Sequence, residues 1–259
     1  MVDVESKLFR CYFYSSILLI FFVVTFSVPW GHWAYTLDRC TGQDCGCILY
    51  GRAYHDVFSG GQTEYCQFVT FAQIPLLLIT IVLICYHGVR AYITPRRRAK
   101  KAAWRGNPLL SGSRRKSDID KNLRIVEPPS VAGIISLIAT SIIALAVLLT
   151  ALGFLIDGYI QSCNEYRRML VRYLAASGRV AYVLNNRLIC SSIFDFMDHL
   201  QPDRRRDRNQ IFDYTRDRIN TGLSLLLSIV SLSLNVILWI YILILNFRLL
   251  FRKIRKPTD

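Results

Sequence analysis

The chain has 259 residues, 53% of them hydrophobic, and a formal charge of +14. One soluble core does not hold both properties, so apolar and charged residues have to be separated along the chain. Four uncharged windows separate them, each close to the roughly 20 helical residues that cross a hydrocarbon layer of about 30 Å, and together they leave too little polar surface for a soluble fold.

Residues 1–10 read as a cytoplasmic N-terminus and residues 11–29 as the first membrane helix. That apolar run is longer than the core of a signal peptide and ends in Ser27-Val28-Pro29-Trp30 without a small-x-small cleavage pattern, which predicts a retained anchor. Trp30, Trp33 and Tyr35 suit the interfacial belt on its outer flank.

Residues 30–67 form the first outer loop, with Arg39 and Arg52 against Asp38, Asp44, Asp56 and Glu64. Ile48-Leu49-Tyr50, among glycines and aromatics, predicts short strands. Cys40, Cys45, Cys47 and Cys66 lie here, with His32 and His55 nearby. Thiolates at short spacing can hold zinc, but Cys40-x4-Cys45-x-Cys47 is not a paired CxxC arrangement and an outer loop is oxidising. Disulfides are therefore expected, and no metal.

The second membrane helix covers residues 68–93, uncharged as far as Tyr86. Residues 94–130 carry eleven basic against three acidic residues, which marks a cytoplasmic loop, and their composition predicts disorder. Arg96, Arg97, Arg98, Lys100 and Lys101 sit just inside the second helix. There they would meet anionic lipids of the inner leaflet, at about 1 kcal/mol per residue, rather than nucleic acid. Arg114-Arg115-Lys116-Ser117 resembles a basophilic kinase substrate, and phosphate on Ser117 would weaken the membrane attraction.

The third membrane helix is read over residues 131–156 and the second outer loop over 157–222. That loop has eleven Arg, eight acids and no Lys, and loops of this length translocate largely regardless of charge. It also holds Cys163 and Cys190, so six of the eight cysteines fall in the two outer loops and none in the inner ones, as oxidative pairing requires. Tyr166, Leu170, Tyr173 and Leu174 recur at helical spacing and predict one or two short helices. The run Arg204-Arg205-Arg206-Asp207-Arg208 reads as a solvated face. A fourth membrane helix, residues 223–247, and a basic cytoplasmic tail, 248–259, complete the chain. The predicted class is an all-α membrane protein: a four-helix transmembrane bundle under a disulfide-braced extracellular or lumenal cap, in the plasma membrane or a secretory-pathway membrane, with both termini cytoplasmic.

On the fourth helix Ser224, Ser228, Ser231 and Asn235 step by four, three and four and share one face. An amide at membrane depth needs a partner, and the third helix offers Ser136, Thr140 and Ala144 as a matching groove, with Asn235 bonding near Thr140. A pore would call for ionisable residues at that depth, and none falls in the four windows. Glycine-rich phosphate loops, HExxH and GxSxG are absent. His87 lies near Arg90 at the inner end of the second helix and His199 in an outer loop, so no acid–base pair is foreseen. The expectation is no enzyme, no catalytic residues and no cofactor.

The strings Cys47-Ile48-Leu49-Tyr50-Gly51, Cys66-Gln67-Phe68, His87-Gly88-Val89-Arg90 and Gly153-Phe154, followed by Cys163 and Cys190, give a four-span plan that resembles the transmembrane protein 179 family. Cys40 and Cys45 are additional to that pattern, and the basic inner loop is longer. Trp30-Gly31-His32-Trp33 before Cys40 also resembles the signature of claudin-like tetraspan proteins, whose second outer loop is shorter. The first resemblance implies membrane residence and little chemistry. It also suggests the pairs Cys47 with Cys66, Cys163 with Cys190 and the extra Cys40 with Cys45, against a rival cross-loop bond such as Cys47 to Cys163. The functional expectation is a non-enzymatic adaptor or auxiliary subunit that offers its outer loops to a membrane-protein partner. A channel or transporter formed by oligomerisation, or a claudin-like adhesion protein, is the alternative.

Overall fold

A computed structural model describes residues 2–34, 46–54, 57–93, 130–173, 178, 181–183, 187–200 and 219–255. The order of elements is α1 (Val2–His32), β1 (Cys47–Tyr54), β2 (Val57–Gly61), α2 (Thr63–Phe71), α3 (Gln73–Gly88), a π-helical turn (Val89–Ile93), α4 (Val131–Tyr173), α5 (Cys190–Leu200) and α6 (Thr221–Ile254). Four helical stretches are long and apolar enough to cross a membrane: Val4–His32, Thr63–Tyr92, Val131–Arg172 and Thr221–Ile254.

Each stretch exceeds its sequence window, because a charge ends an apolar run without ending a helix. Most of residues 1–10, read as a tail, belong to α1. Asp157 closes the third apolar window, yet α4 runs on to Tyr173, so Cys163 to Tyr173 continues α4 instead of forming a separate short helix. The second stretch breaks after Phe71, where the N–H of Ala72 bonds the carbonyl of Phe68 at 3.0 Å. Pro75 causes that break, since it has no N–H to return to the carbonyl four residues earlier. The described residues are mostly helical, and β1 and β2 form an antiparallel hairpin where Ile48-Leu49-Tyr50 predicts short strands.

Burial picks out one stripe per helix. On α1 it runs Leu8, Tyr12, Ser15, Leu19, Phe22 and Phe26, and on α6 Leu225, Ser228, Leu232, Asn235, Trp239, Ile242, Asn246 and Leu249. These positions step by three and four, with Cys11 and Ser16 on α1 and Ser231, Val236 and Leu245 on α6 buried at their flanks, the spacing that holds one face of a helix against neighbours.

The chain divides into two compact units. One comprises Met1–Ile17, Pro75–Ala146 and Asn235–Asp259, the other Leu18–Ile74 and Val147–Leu234. In the first, Tyr12 stacks on His87 with ring centres 5.3 Å apart and meets Trp239 edge-on at 5.8 Å. In the second, Trp33, Phe58 and Tyr166 form a chain of edge-to-face contacts at 5.5 and 5.2 Å, all three buried. Such pairs add about 0.5–1.5 kcal/mol each beyond their buried area.

Candidate functional site

The second unit holds the hairpin, α5 and the two cysteine pairs among the described residues. The strands pair Tyr54 with Val57, Ala53 with Phe58 and Arg52 with Ser59, then slip, and Cys47 stands opposite Gly61. The slack collects around Tyr50, whose φ of +58° is left-handed, a position that costs a non-glycine residue on the order of 1 kcal/mol. Ser162 of α4 holds this bulge: its hydroxyl donates to the carbonyl of Ile48 and accepts the N–H of Gly51, both at 2.8 Å. Two glycines make the approach possible. A Cβ on Gly158 would stand 2.8 Å from the Leu49 side chain, and one on Gly61 would strike the Leu49 carbonyl at 2.2 Å. Asp157 lies beside the Tyr50 hydroxyl, and burial together with that carboxylate pushes the hydroxyl well above the usual tyrosine range.

Cys47 and Cys66 stand at disulfide distance, as do Cys163 and Cys190, each pair with Cα atoms 5.5 Å apart. This is the within-loop pattern, not the cross-loop rival. One bond ties β1 to α2 and the other ties α4 to α5. Cys40 and Cys45 lie outside the described residues, as do Arg96, Arg97, Arg98, Lys100, Lys101 and Ser117. Among the described residues no group of three or more His, Cys, Asp or Glu side chains is placed to hold a metal.

Helix α5 buries Ile193, Phe194 and Met197 and is fastened at its far end to α6. Asp198 accepts the N–H and the hydroxyl of Thr221 at 2.9 and 2.7 Å, and Asn220 caps α6 through the N–H of Leu223 at 2.8 Å. Burial raises the Asp198 carboxyl above the ordinary aspartate range, and the two Thr221 donors hold back part of the rise. In the same unit Tyr182, Val183 and Ile189 are exposed, Ile189 at 68%.

The serine stripe of α6 meets a different partner from the one expected. Ser228 donates to Thr25 Oγ1 at 3.0 Å and Ser231 to the Leu18 carbonyl at 2.9 Å, both on α1, while Ser224 is only half-buried. In the first unit Asn235 Oδ1 accepts from Ser15 at 2.7 Å, and Ser15 in turn accepts from Trp239 Nε1 at 2.9 Å. Asn235 thus bonds to α1, not to Thr140 of α4. Ser136 is exposed and Thr140 returns its hydroxyl to the Ser136 carbonyl at 2.9 Å. Successive helical residues turn by about 100°, so three positions spaced by four drift about 80°, and of the proposed groove only Ala144 reaches the buried stripe. The polar residue on that stripe is Ser141, which accepts from Asn246 Nδ2 at 3.4 Å.

The first unit also contains a constellation the apolar windows hid. Glu5 Oε2 lies 2.6 Å from His87 Nδ1, and Arg90 Nε lies 3.2 Å from Glu5 Oε1. Glu5 is 3% exposed and His87 1%. The four apolar windows hold no ionisable side chain, but Glu5, which precedes the first of them, stands one turn inside α1 and meets His87. A sequence signal existed. Positions 5, 8, 12, 15 and 19 continue the stripe, so a glutamate on it has to face inward and find a cation.

No protein-family model, curated protein or solved structure matches this chain.

Proposed function

We propose that the chain is a non-enzymatic multi-pass membrane protein, an adaptor or auxiliary subunit that presents its outer loops to a membrane-protein partner. The four apolar stretches form the transmembrane bundle, in the plasma membrane or a secretory-pathway membrane, with both termini inside. All seven Lys fall on that side in this reading, and the basic segments contact anionic lipid there. The observation that carries the proposal is the construction of the second unit. Two disulfides, the Ser162 clamp and the Asp198–Thr221 tie fix a hairpin and a short helix to the ends of long helices, with Tyr182, Val183 and Ile189 exposed in the same unit. A frame held this firmly loses little freedom when it binds. The resemblance of the four-span plan to the transmembrane protein 179 family implies the same arrangement and adds no chemistry.

The test is cross-linked purification from native tissue in mild detergent, wild type beside Tyr182→Lys/Ile189→Lys. A membrane protein recovered in stoichiometric amount with the wild type and lost with the variant supports the reading. Repeated recovery of the chain alone counts against it. A channel or transporter built by oligomerisation is less favoured, because Ser228, Ser231 and Asn235 are already bonded to α1 and not free to line a pathway between copies. Enrichment at cell contacts would instead favour claudin-like adhesion.

A further inference from the structure

We infer that the first unit binds a buried water between Tyr12, Ser141 and Asn246, and that this water joins α1, α4 and α6 at a single point. All three side chains are fully buried. Ser141 and Asn246 approach the Tyr12 hydroxyl, yet by distance and angle neither closes a hydrogen bond with it, and Asn246 Oδ1 is likewise buried with no partner among the described residues. Two orphaned polar atoms on neighbouring side chains are an exception in a folded core. An ordered water is the usual occupant of such a place.

The hydrogens already committed decide what the site accepts. Ser141 donates to the Leu137 carbonyl at 2.8 Å, so toward its other neighbours its hydroxyl only accepts. That turns the Asn246 amide, because Nδ2 then faces Ser141, at 3.4 Å, and Oδ1 is the atom left over. The site therefore offers one O–H, from Tyr12, one carbonyl oxygen, from Asn246, and one spare lone pair on Ser141. A water complements this set: it accepts from Tyr12 and donates one hydrogen to Asn246 Oδ1 and the other to Ser141 Oγ. Three bonds are what a buried water typically makes. A cation would find three neutral oxygens and no carboxylate among them, and an apolar occupant would leave both orphans unmet. A direct bond from Tyr12 to Asn246 is the plainer account, but the Tyr12 ring is not free to swing toward it. It stacks on His87 at 5.3 Å and meets Trp239 edge-on at 5.8 Å, and Trp239 is itself fixed by donating to Ser15 at 2.9 Å. The water spans what these pinned side chains do not.

Radiolytic labelling tests this, because hydroxyl radicals made from a bound water by an X-ray pulse oxidise the ring beside it even where bulk solvent does not reach. The full chain in lipid nanodiscs is pulsed and its modified residues are mapped by mass spectrometry, with Phe22 and Phe26, equally buried on α1, as the reference. After correction for intrinsic ring reactivity, Tyr12 should be oxidised severalfold faster than either, and in 18O-water the added oxygen should be heavy. In Asn246→Leu, which removes an acceptor at similar volume, the rate at Tyr12 should fall to that of the two phenylalanines. Exchange of sodium and potassium for choline should leave the wild type unchanged. A wild-type Tyr12 as inert as Phe22 overturns the inference in favour of the direct bond. Undiminished labelling in Asn246→Leu overturns it in favour of solvent leaking in, and dependence on the cation in favour of an ion. If Asn246→Leu fails to fold, Tyr12→Phe takes its place: it keeps a ring to label and removes the donor, and its rate should match that of Phe22.

Discussion

Asp198 spends both carboxylate oxygens on Thr221, one on its N–H at 2.9 Å and one on its hydroxyl at 2.7 Å, and so ties the end of α5 to the first residue of α6. Asp198→Ala leaves those donors without this acceptor and should destabilise the fold by about 1–3 kcal/mol. The pH dependence has a definite sign. Burial holds the folded carboxyl above its ordinary 3.8, so the native state binds the proton more readily than the unfolded chain. The associated stability is fully present below the unfolded value and is lost as pH rises through the raised folded one. Thermal unfolding of the wild type should therefore gain on Asp198→Asn as the medium is acidified through that window, with a constant offset above it. A constant offset throughout would show that Asp198 titrates normally.

Ser162 serves two backbone groups with one hydroxyl, and removing it strands both at a buried bulge. Ser162→Ala should cost about 1–3 kcal/mol by denaturant unfolding. Gly158→Ala should harm the same place by a different route, since the added methyl would meet Leu49 and the Tyr50 ring. A neutral Ser162→Ala would mean that water replaces the hydroxyl.

Non-reducing peptide mapping should recover Cys47 linked to Cys66 and Cys163 linked to Cys190, sequence separations of 19 and 27. Closing loops of that size contributes about 3 kcal/mol each through the unfolded chain. Serine at Cys163 and Cys190 should lower thermal stability accordingly and free α5 first. Any peptide joining the two outer loops would contradict the pairing. The same map reports on Cys40 and Cys45.

Sidedness has its own test. An epitope inserted near Ser111, in the basic loop, should survive protease added to intact cells, and cleavage there would invert the proposed topology.

What was legible beforehand follows the physics of each signal. Apolar length located the four long helices, since no other pattern competes with runs of that size. Redox logic marked these cysteines for disulfides, and the resemblance suggested Cys47 with Cys66 and Cys163 with Cys190. The helices run past their apolar windows, because a charge ends an apolar run without ending a helix, as at Arg10 and Asp157. Packing faces were the least legible part. A helix with apolar residues on all sides gives no contrast between Ile135, 53% exposed, and Ile134, which is buried, so the groove was chosen by composition, and Ser136 is exposed and Thr140 half-buried. The Glu5–His87 contact spans 82 positions and follows only once the α1 stripe is known.

The partner of Asn235 separates these two pictures most sharply. Its Oδ1 accepts from Ser15, and Ser15 accepts from Trp239, so the hydroxyl orients the amide and joins α1 to α6 at a fully buried point. Its Nδ2 has no partner among the described residues, which lowers the cost of losing the amide. Polar contacts between membrane helices average about 0.6 kcal/mol and reach about 1.7, and Asn235→Leu should fall in that range. The size alone does not identify the partner, because any buried amide gives a similar number. A double-mutant cycle does. Asn235→Leu and Ser15→Ala share one bond, so together they should cost clearly less than the sum of the two. Asn235→Leu and Thr140→Val share none and should add within about 0.5 kcal/mol. Unfolding measured in one detergent for all five variants gives both cycles. Additivity with Ser15 and coupling with Thr140 would return Asn235 to the α4 groove and reject the α1–α6 seam.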